Sequence, residues 1–240
     1  MMTAVVAQAM DVTLSNKVLL HDINFTIPTG SVCCILGESG SGKTTLLRAI
    51  LGLIQPSAGA VEIDRTPVTE FDYLSNSGVV YQYGALMTSY SVFENVAYPL
   101  REYGGLTEPE IEKLVYDALT RADLKGIDGS LSPAQISGGM AKRVAIARAL
   151  ALDPNFLFLD EPTSGLDPIS SGNIGQLIND FHAEGDRTVM MTTHDEGLVK
   201  NCCDHLLVVQ DKTVVACGPI SEVRSLNIPV VNRLAGVSHA

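Results

Sequence analysis

Residues 37–44 read Gly37-Glu38-Ser39-Gly40-Ser41-Gly42-Lys43-Thr44, the full G-x-x-x-x-G-K-[ST] pattern of a phosphate-binding loop. No other stretch of the chain narrows the possible folds as far. Such a loop works in one setting, where a buried strand delivers it and a helix leaves it. Both flanks fit. Ser31–Leu36 is short, apolar and β-branched, as expected of a strand covered on both faces. Thr44–Leu53 is helix-forming and places Leu46, Leu47, Ile50 and Leu51 on one side.

The rest of the chain alternates in the same way. Val5–Leu14 and Val18–Ile27 alternate apolar with polar residues and read as strand and hairpin, followed by the turn Pro28-Thr29-Gly30. Residues 54–82 read as short strands and turns. Thr107 and Glu110, with Pro109 between them, form a capping-box start signal. Ile111, Leu114, Val115, Ala118, Leu119 and Ala122 then mark one helical face. A further helix is predicted from Gly138 to about Leu152, a strand over Phe156–Leu159, and a helix around Ile174–Glu184. Thr188–Thr192 reads as a strand, and Leu206–Gln210 with Thr213–Ala216 as a late hairpin. Strands alternating with helices imply an α/β fold with a mostly parallel sheet covered on both faces.

The glycines of residues 37–42 let backbone N–H groups curl around phosphate oxygens, and the following helix adds the positive end of its dipole. Lys43 is placed for the β- and γ-phosphates, with Thr45 beside it, while the Thr44 hydroxyl suits Mg²⁺. A second site element follows Phe156-Leu157-Phe158-Leu159, because a buried strand ending in Asp160 and Glu161 delivers both carboxylates to the sheet edge where the phosphates lie. Asp160 is then a candidate for the Mg²⁺ shell and Glu161 for the general base acting on water. Guanine specificity would require N-K-x-D, and the one Asn-Lys pair, Asn16-Lys17, has Leu19 where Asp is needed. ATP is the expected nucleotide.

Ser137-Gly138-Gly139-Met140 followed by Ala141-Lys142-Arg143 resembles the signature motif of the ABC transporter ATPase family, with Met where Gln is commoner. It stands 24 residues ahead of Glu161. Further marks are similar to that family in order and spacing: Gln82, Ser164-Gly165-Leu166-Asp167, and His194, 33 residues beyond Glu161. The resemblance spans about residues 5–220. It implies a P-loop NTPase (RecA-like) core, an N-terminal antiparallel β subdomain, a helical signature subdomain over roughly 83–150 and a C-terminal tail over roughly 218–240, in a single domain of residues 1–240. It implies that Gln82 contacts Mg²⁺ and the attacking water, and that His194 bonds the γ-phosphate. It also implies that Ser137, Gly138, Gly139 and Asp167 serve the nucleotide of a second copy in a head-to-tail ATP-sandwich dimer. One departure stands out. Family members carry an adenine-stacking aromatic near the first hairpin, and none lies between Met10 and Asp22; Leu14 or Val18 is left to supply an apolar contact.

A narrower resemblance lies in Tyr83-Gly84-Ala85-Leu86-Met87, in Val92 through Glu102, and in the tail from Cys217 to Gly236, all similar to the ATPase subunits of Mla-type lipid transporters. It implies an integral-membrane permease, an Mce-domain protein and a small regulatory subunit as partners, with phospholipid or another hydrophobic molecule as cargo. An amino-acid or ion importer is the alternative. The apolar run Ala85, Leu86, Met87, Val92, Phe93, Val96 and Tyr98 is expected to contribute a docking surface as well as core. One compact copy without a coiled coil argues against a non-transport relative.

Charge and composition add exclusions. The 27 acidic against 16 basic residues, a net charge of −11, argue against the clustered cationic surface that nucleic acid requires. No run approaches the ~20 apolar residues that cross a bilayer, and the apolar Met1–Met10 has no leading Lys or Arg, so it reads as a strand and not as a signal peptide. The resemblance implies a peripheral location on the cytoplasmic side of the inner membrane. The five cysteines, Cys33, Cys34, Cys202, Cys203 and Cys217, show no zinc-ligand spacing and read as buried thiols.

Overall fold

A computed structural model describes residues 3–103 and 105–234. Its first hairpin pairs β1 (Thr3–Leu14) with β2 (Lys17–Pro28), and the other edge of β1 takes β4 (Ala58–Ile63), which carries the short β5 (Thr66–Pro67). These four strands form an antiparallel sheet. The remaining strands are β3 (Val32–Leu36), β6 (Ser77–Val80), β7 (Phe156–Asp160), β8 (Thr188–Thr192), β9 (His205–Gln210) and β10 (Thr213–Pro219). They make a second sheet in the order β10-β9-β3-β8-β7-β6, parallel from β9 to β6, with β10 as an antiparallel edge.

All five residues of β3, β7 and β8 are buried, and the two-residue side-chain period explains why. Cys33 and Ile35 point toward the first sheet. There they meet α1 (Lys43–Ile50), whose Leu46, Leu47 and Ile50 fill the space below Ile23, Ile27 and Phe158. Cys34, Leu36, Leu157, Leu159 and Met191 point the other way. They pack with α3 (Val92–Tyr103), α4 (Glu108–Arg121), α5 (Gly138–Leu150), α6 (Pro168–Ala183) and α7 (Glu196–Cys202). One phosphate loop thus emerges between two cores, and each buried Leu, Ile or Phe contributes roughly 1.5–3 kcal/mol toward holding it. The short α2 (Tyr73–Asn76) leads into β6.

The predicted capping box at α4 is formed. The Thr107 amide and hydroxyl both donate to Glu110 Oε2 at 2.7 Å, and of the predicted apolar face Ile111, Val115, Ala118, Leu119 and Ala122 are buried. Helix α3 falls within the helical subdomain expected over roughly 83–150, and it forms although Pro99 lies inside it, where prolines ordinarily break helices. Its start is nonetheless well held. Ser91 and Glu94 cap each other reciprocally at 2.9 and 3.1 Å, and the amides of Val92 and Phe93 donate to the distant carbonyls of Leu131 and Gly129.

One expectation needs correction. The cysteines are not all free thiols, since Cys34 on β3 and Cys203 after α7 are joined across 169 residues with Cα atoms 6.0 Å apart. Sequence neighbours pointed apart as expected, but the fold brought a third element to Cys34. In the apolar run after Gln82, Val92 and Val96 are fully buried core, while Met87 and Phe93 are half-buried. The tail forms α8 (Ile220–Ser225) and α9 (Pro229–Leu234); Ala235-Gly236 of the noted resemblance lies outside the described residues.

Candidate active site

The loop between β3 and α1 is shaped by its packing. A Cβ on Gly37 would lie 2.3 Å from the Val209 carbonyl oxygen, so the loop meets β9 with no room for a side chain. Gly40 and Gly42 take left-handed φ values of 81° and 113°, which glycine adopts without strain. Lys43 folds back along the loop, and its Nζ donates to the carbonyls of Gly37 and Glu38, both at 3.0 Å. Burial pushes its pKa down, while the carboxylates of Glu161 and Asp160 pull it back up. Glu38, Ser39, Ser41 and Thr45 belong to the same turn and helix start.

The parallel register brings the second half of the site alongside. Asp160 at the end of β7 stands opposite Thr192 at the end of β8. Its Oδ1 accepts from the Thr192 hydroxyl at 2.7 Å and from the Thr44 hydroxyl at 3.2 Å. Two of the three residues predicted for Mg²⁺, Thr44 and Asp160, are therefore in direct contact, while the third, Gln82, lines the neighbouring cavity. Glu161 follows with φ 50°, its amide donating to the Thr192 carbonyl and hydroxyl at 3.1 and 3.0 Å. Its Oε1 lies 3.3 Å from His194 Nε2. Ser39, Gln82, Glu161 and His194 line one cavity of about 430 Å³, together with Thr163, Ser164, Leu166, Ser171 and Asp195.

Oxygen ligands from Thr44 and Asp160 suit a hard divalent cation, and the glycine turn with the α1 N-terminus suits polyphosphate. The residues present therefore fit Mg²⁺ and a nucleotide.

The other predicted group does not line that cavity, although Leu166, next to Asp167, does. Ser137 caps α5, accepting from the Met140 amide at 3.2 Å, and a Cβ on Gly138 would meet open space. Asp167 caps α6 through the amides of Ile169 and Ser170, and the Ser170 hydroxyl holds its carboxyl below the usual carboxylate range. Ser170 is also the nearest neighbour of Gly139. Among the described residues, none of Ser137, Gly138, Gly139 and Asp167 lines the cavity of Glu161.

Sequence reasoning missed Thr192 and Lys142. Thr192 supports both carboxylate residues, and the ammonium of Lys142 donates to the carbonyls of Gln82 (2.9 Å) and Glu161 (3.1 Å). Their partners are set by sheet register and by backbone carbonyls, neither of which leaves a mark in a motif.

A sequence model of the family described as ABC transporter matches residues 20–164, a span that contains the phosphate loop, Gln82, Ser137–Gly139, Asp160 and Glu161. The chain belongs to the ABC transporter family. Among its relatives in that family is the intermembrane phospholipid transport system ATP-binding protein MlaF of Escherichia coli K12, 36% identical over 227 residues that cover 92% of this chain and 84% of MlaF. The probable ribonucleotide transport ATP-binding protein mkl of Mycobacterium tuberculosis H37Rv is 37% identical over 219 residues, 89% of this chain. This chain spans 61% of the length of that mycobacterial relative. Among ABC cassettes of known structure, the dimeric post-hydrolysis state of MJ0796 bound to ADP and Pi superposes with a TM-score of 0.82 at 30% identity, over 90% of this chain and 98% of that one.

Proposed function

We propose that this chain is the ATP-binding and ATP-hydrolysing subunit of an ABC transporter that moves phospholipid or another hydrophobic molecule across the cell envelope. One observation carries the enzymatic part: Glu161, Gln82 and His194 converge on a single cavity beside the loop of Lys43. In this reading the amides of residues 37–45 and the ammonium of Lys43 bind the phosphates, and Glu161 takes the proton of the attacking water. His194 holds the Glu161 carboxylate in place and offers a hydrogen bond toward the cavity, and Gln82 orients water. Thr44, Asp160 and Gln82 would hold Mg²⁺, which when bound would supply charge neutralisation to the phosphates. Thr192 fixes the Asp160 carboxylate and the Glu161 backbone, so neither has to reorganise during reaction.

Ser137, Gly138, Gly139 and Asp167 act on the nucleotide of a second copy. None of the four lines this chain's own cavity, which supports that assignment, and so does the dimeric state of the MJ0796 relative. For the base, the hairpin presents Leu14 and Val18, 59% and 45% exposed, an apolar platform in place of an aromatic stack. The whole of residues 1–240 acts as one domain whose helical part lies over roughly 83–150.

The phospholipid assignment is preferred over ribonucleotide, amino-acid or ion transport because the alignment with MlaF covers most of both chains. Among the described residues no helix is long and apolar enough to cross a membrane, which fits a peripheral subunit on the cytoplasmic side docked to a separate permease, with an Mce-domain protein and a small regulatory subunit as further partners. The half-buried Met87 and Phe93, beside the exposed Tyr83, Tyr90 and Tyr98, are the surface offered to that permease. Co-purification with an Mla-type permease, followed by ATP-driven transfer of labelled phospholipid between vesicles, tests the cargo. Binding with transfer is expected, and failure of the wild-type chain to bind such a permease overturns the lipid assignment.

A further inference from the structure

Glu161, which lines the cavity, has a left-handed backbone at φ 50°, and just past the other lining residue Gln82 the backbone is left-handed again at Gly84 (φ 73°) and Ala85 (φ 47°). A non-glycine residue in this region costs on the order of 1–3 kcal/mol and persists only where its surroundings over-determine it. At Glu161 the restraint is visible on both sides. Its N–H is held by Thr192, and its carbonyl accepts from Lys142 Nζ at 3.1 Å. The same ammonium donates to the Gln82 carbonyl at 2.9 Å. Six residues further along α5, Arg148 donates to the carbonyls of Gly84 and Ala85 at 2.8 and 2.9 Å. Both cations stand on the helix that Ser137 caps.

We propose that Lys142 is a positioning residue for hydrolysis: by bonding the carbonyls of Gln82 and Glu161 together, it sets the spacing of two side chains that face the cavity and ties that spacing to the signature helix. The proposal rests on the reading of Glu161 as the general base. Partial burial works against the charge of Lys142 and pushes its pKa down, opposed by the Glu161 carboxylate. An ammonium kept in such a place is held there by the bonds it makes. Two of its three donors reach carbonyls that belong to different strands' ends, 60 and 19 residues away. Loosening this tie is read in the rate, since a shift of about 1 Å at a reacting group is enough to cost on the order of a hundredfold.

The test uses the full chain in its active assembly. Lys142→Met keeps the stem and removes the donors, whereas Lys142→Arg keeps donors that can reach two carbonyls. Lys142→Met is expected to lower kcat by about tenfold or more, with KM for ATP and the affinity for a non-hydrolysable ATP analogue changed by less than about threefold. Lys142→Arg is expected to recover most of the rate. In a Glu161→Gln background, where the positioned carboxylate is already gone, Lys142→Met is expected to remove little of the residual turnover. Wild-type kcat in Lys142→Met overturns the proposal. So does a kcat loss matched by an equal loss of folded protein or of analogue affinity, or an equal fold-loss in both backgrounds. If Lys142→Met fails to fold, Lys142→Gln is read by the same criteria. Turnover near wild type in Glu161→Gln alone removes the base reading itself, whatever Lys142→Met shows.

Discussion

Replacing Thr192 by Val isolates the support beneath the two carboxylate residues. Thr192 is fully buried, and its hydroxyl is within 2.7 Å of Asp160 Oδ1 and 3.0 Å of the Glu161 amide. Val has nearly the same shape, so no cavity forms and the loss is confined to polar contacts. The Glu161 amide keeps the Thr192 carbonyl at 3.1 Å and is not orphaned. Asp160 Oδ1 fares worse, because only the longer bond from Thr44 at 3.2 Å remains. A hydrogen bond to a charged group contributes roughly 1.5–3 kcal/mol, so Thr192→Val is expected to destabilise the nucleotide-free protein by about 2 kcal/mol. In a domain of this size that lowers Tm by roughly 4–8 °C. Urea titration at neutral pH, followed by circular dichroism, measures the difference, and ATPase assays of the same variant should show a lower kcat. A change under about 0.5 kcal/mol, with unaltered turnover, would mean that Asp160 and Glu161 are held by something other than Thr192.

Three further outcomes follow from the same geometry. Ser137→Arg is expected to abolish hydrolysis by projecting a side chain into the other copy's nucleotide, and mixing it with Glu161→Gln subunits should restore part of the activity. Turnover that stays linear in protein concentration at high dilution would contradict the shared site. Lys43 has its folded-state pKa depressed by burial below the ordinary 10.5, so the unfolded chain holds the extra proton between the two values and stability rises with pH there. Wild-type protein should therefore gain stability relative to Lys43→Met as pH rises toward about 10.5, as read by chemical denaturation; a flat or falling difference would refute the burial argument. Met87→Asp and Phe93→Asp should leave ATP binding intact while reducing permease association, and normal co-purification of both variants would place the docking surface elsewhere.

Much of the candidate nucleotide site was legible in the residues because its constraints are local. The loop pattern at 37–44, the apolar run before Asp160 and the Thr107–Glu110 cap each declare themselves within ten residues. What remained hidden depends on contacts across the chain. That Asp160 would meet Thr192 follows from the parallel register of β7 on β8, which no strand propensity encodes. Helix α3 carries a proline, and its first amides are satisfied by Leu131 and Gly129, so a window of local sequence reads against it. Lys142 looks like a solvent-facing cation in a helix, and only the fold places it between the carbonyls of Gln82 and Glu161. The pairing of Cys34 with Cys203 is of the same kind, set by how α7 returns to the sheet.

The central claim is that Glu161 performs the proton transfer of an ATP hydrolysis whose binding step it does not share. Glu161→Gln keeps the shape of the side chain and loses its capacity to accept a proton. Parallel measurement of ATP binding and of single-turnover hydrolysis in this variant tests the claim most directly. ATP affinity within a few-fold of wild type, hydrolysis slower by about 10²–10⁴-fold and accumulation of an ATP-bound dimer are the expected results. Hydrolysis near the wild-type rate would contradict it.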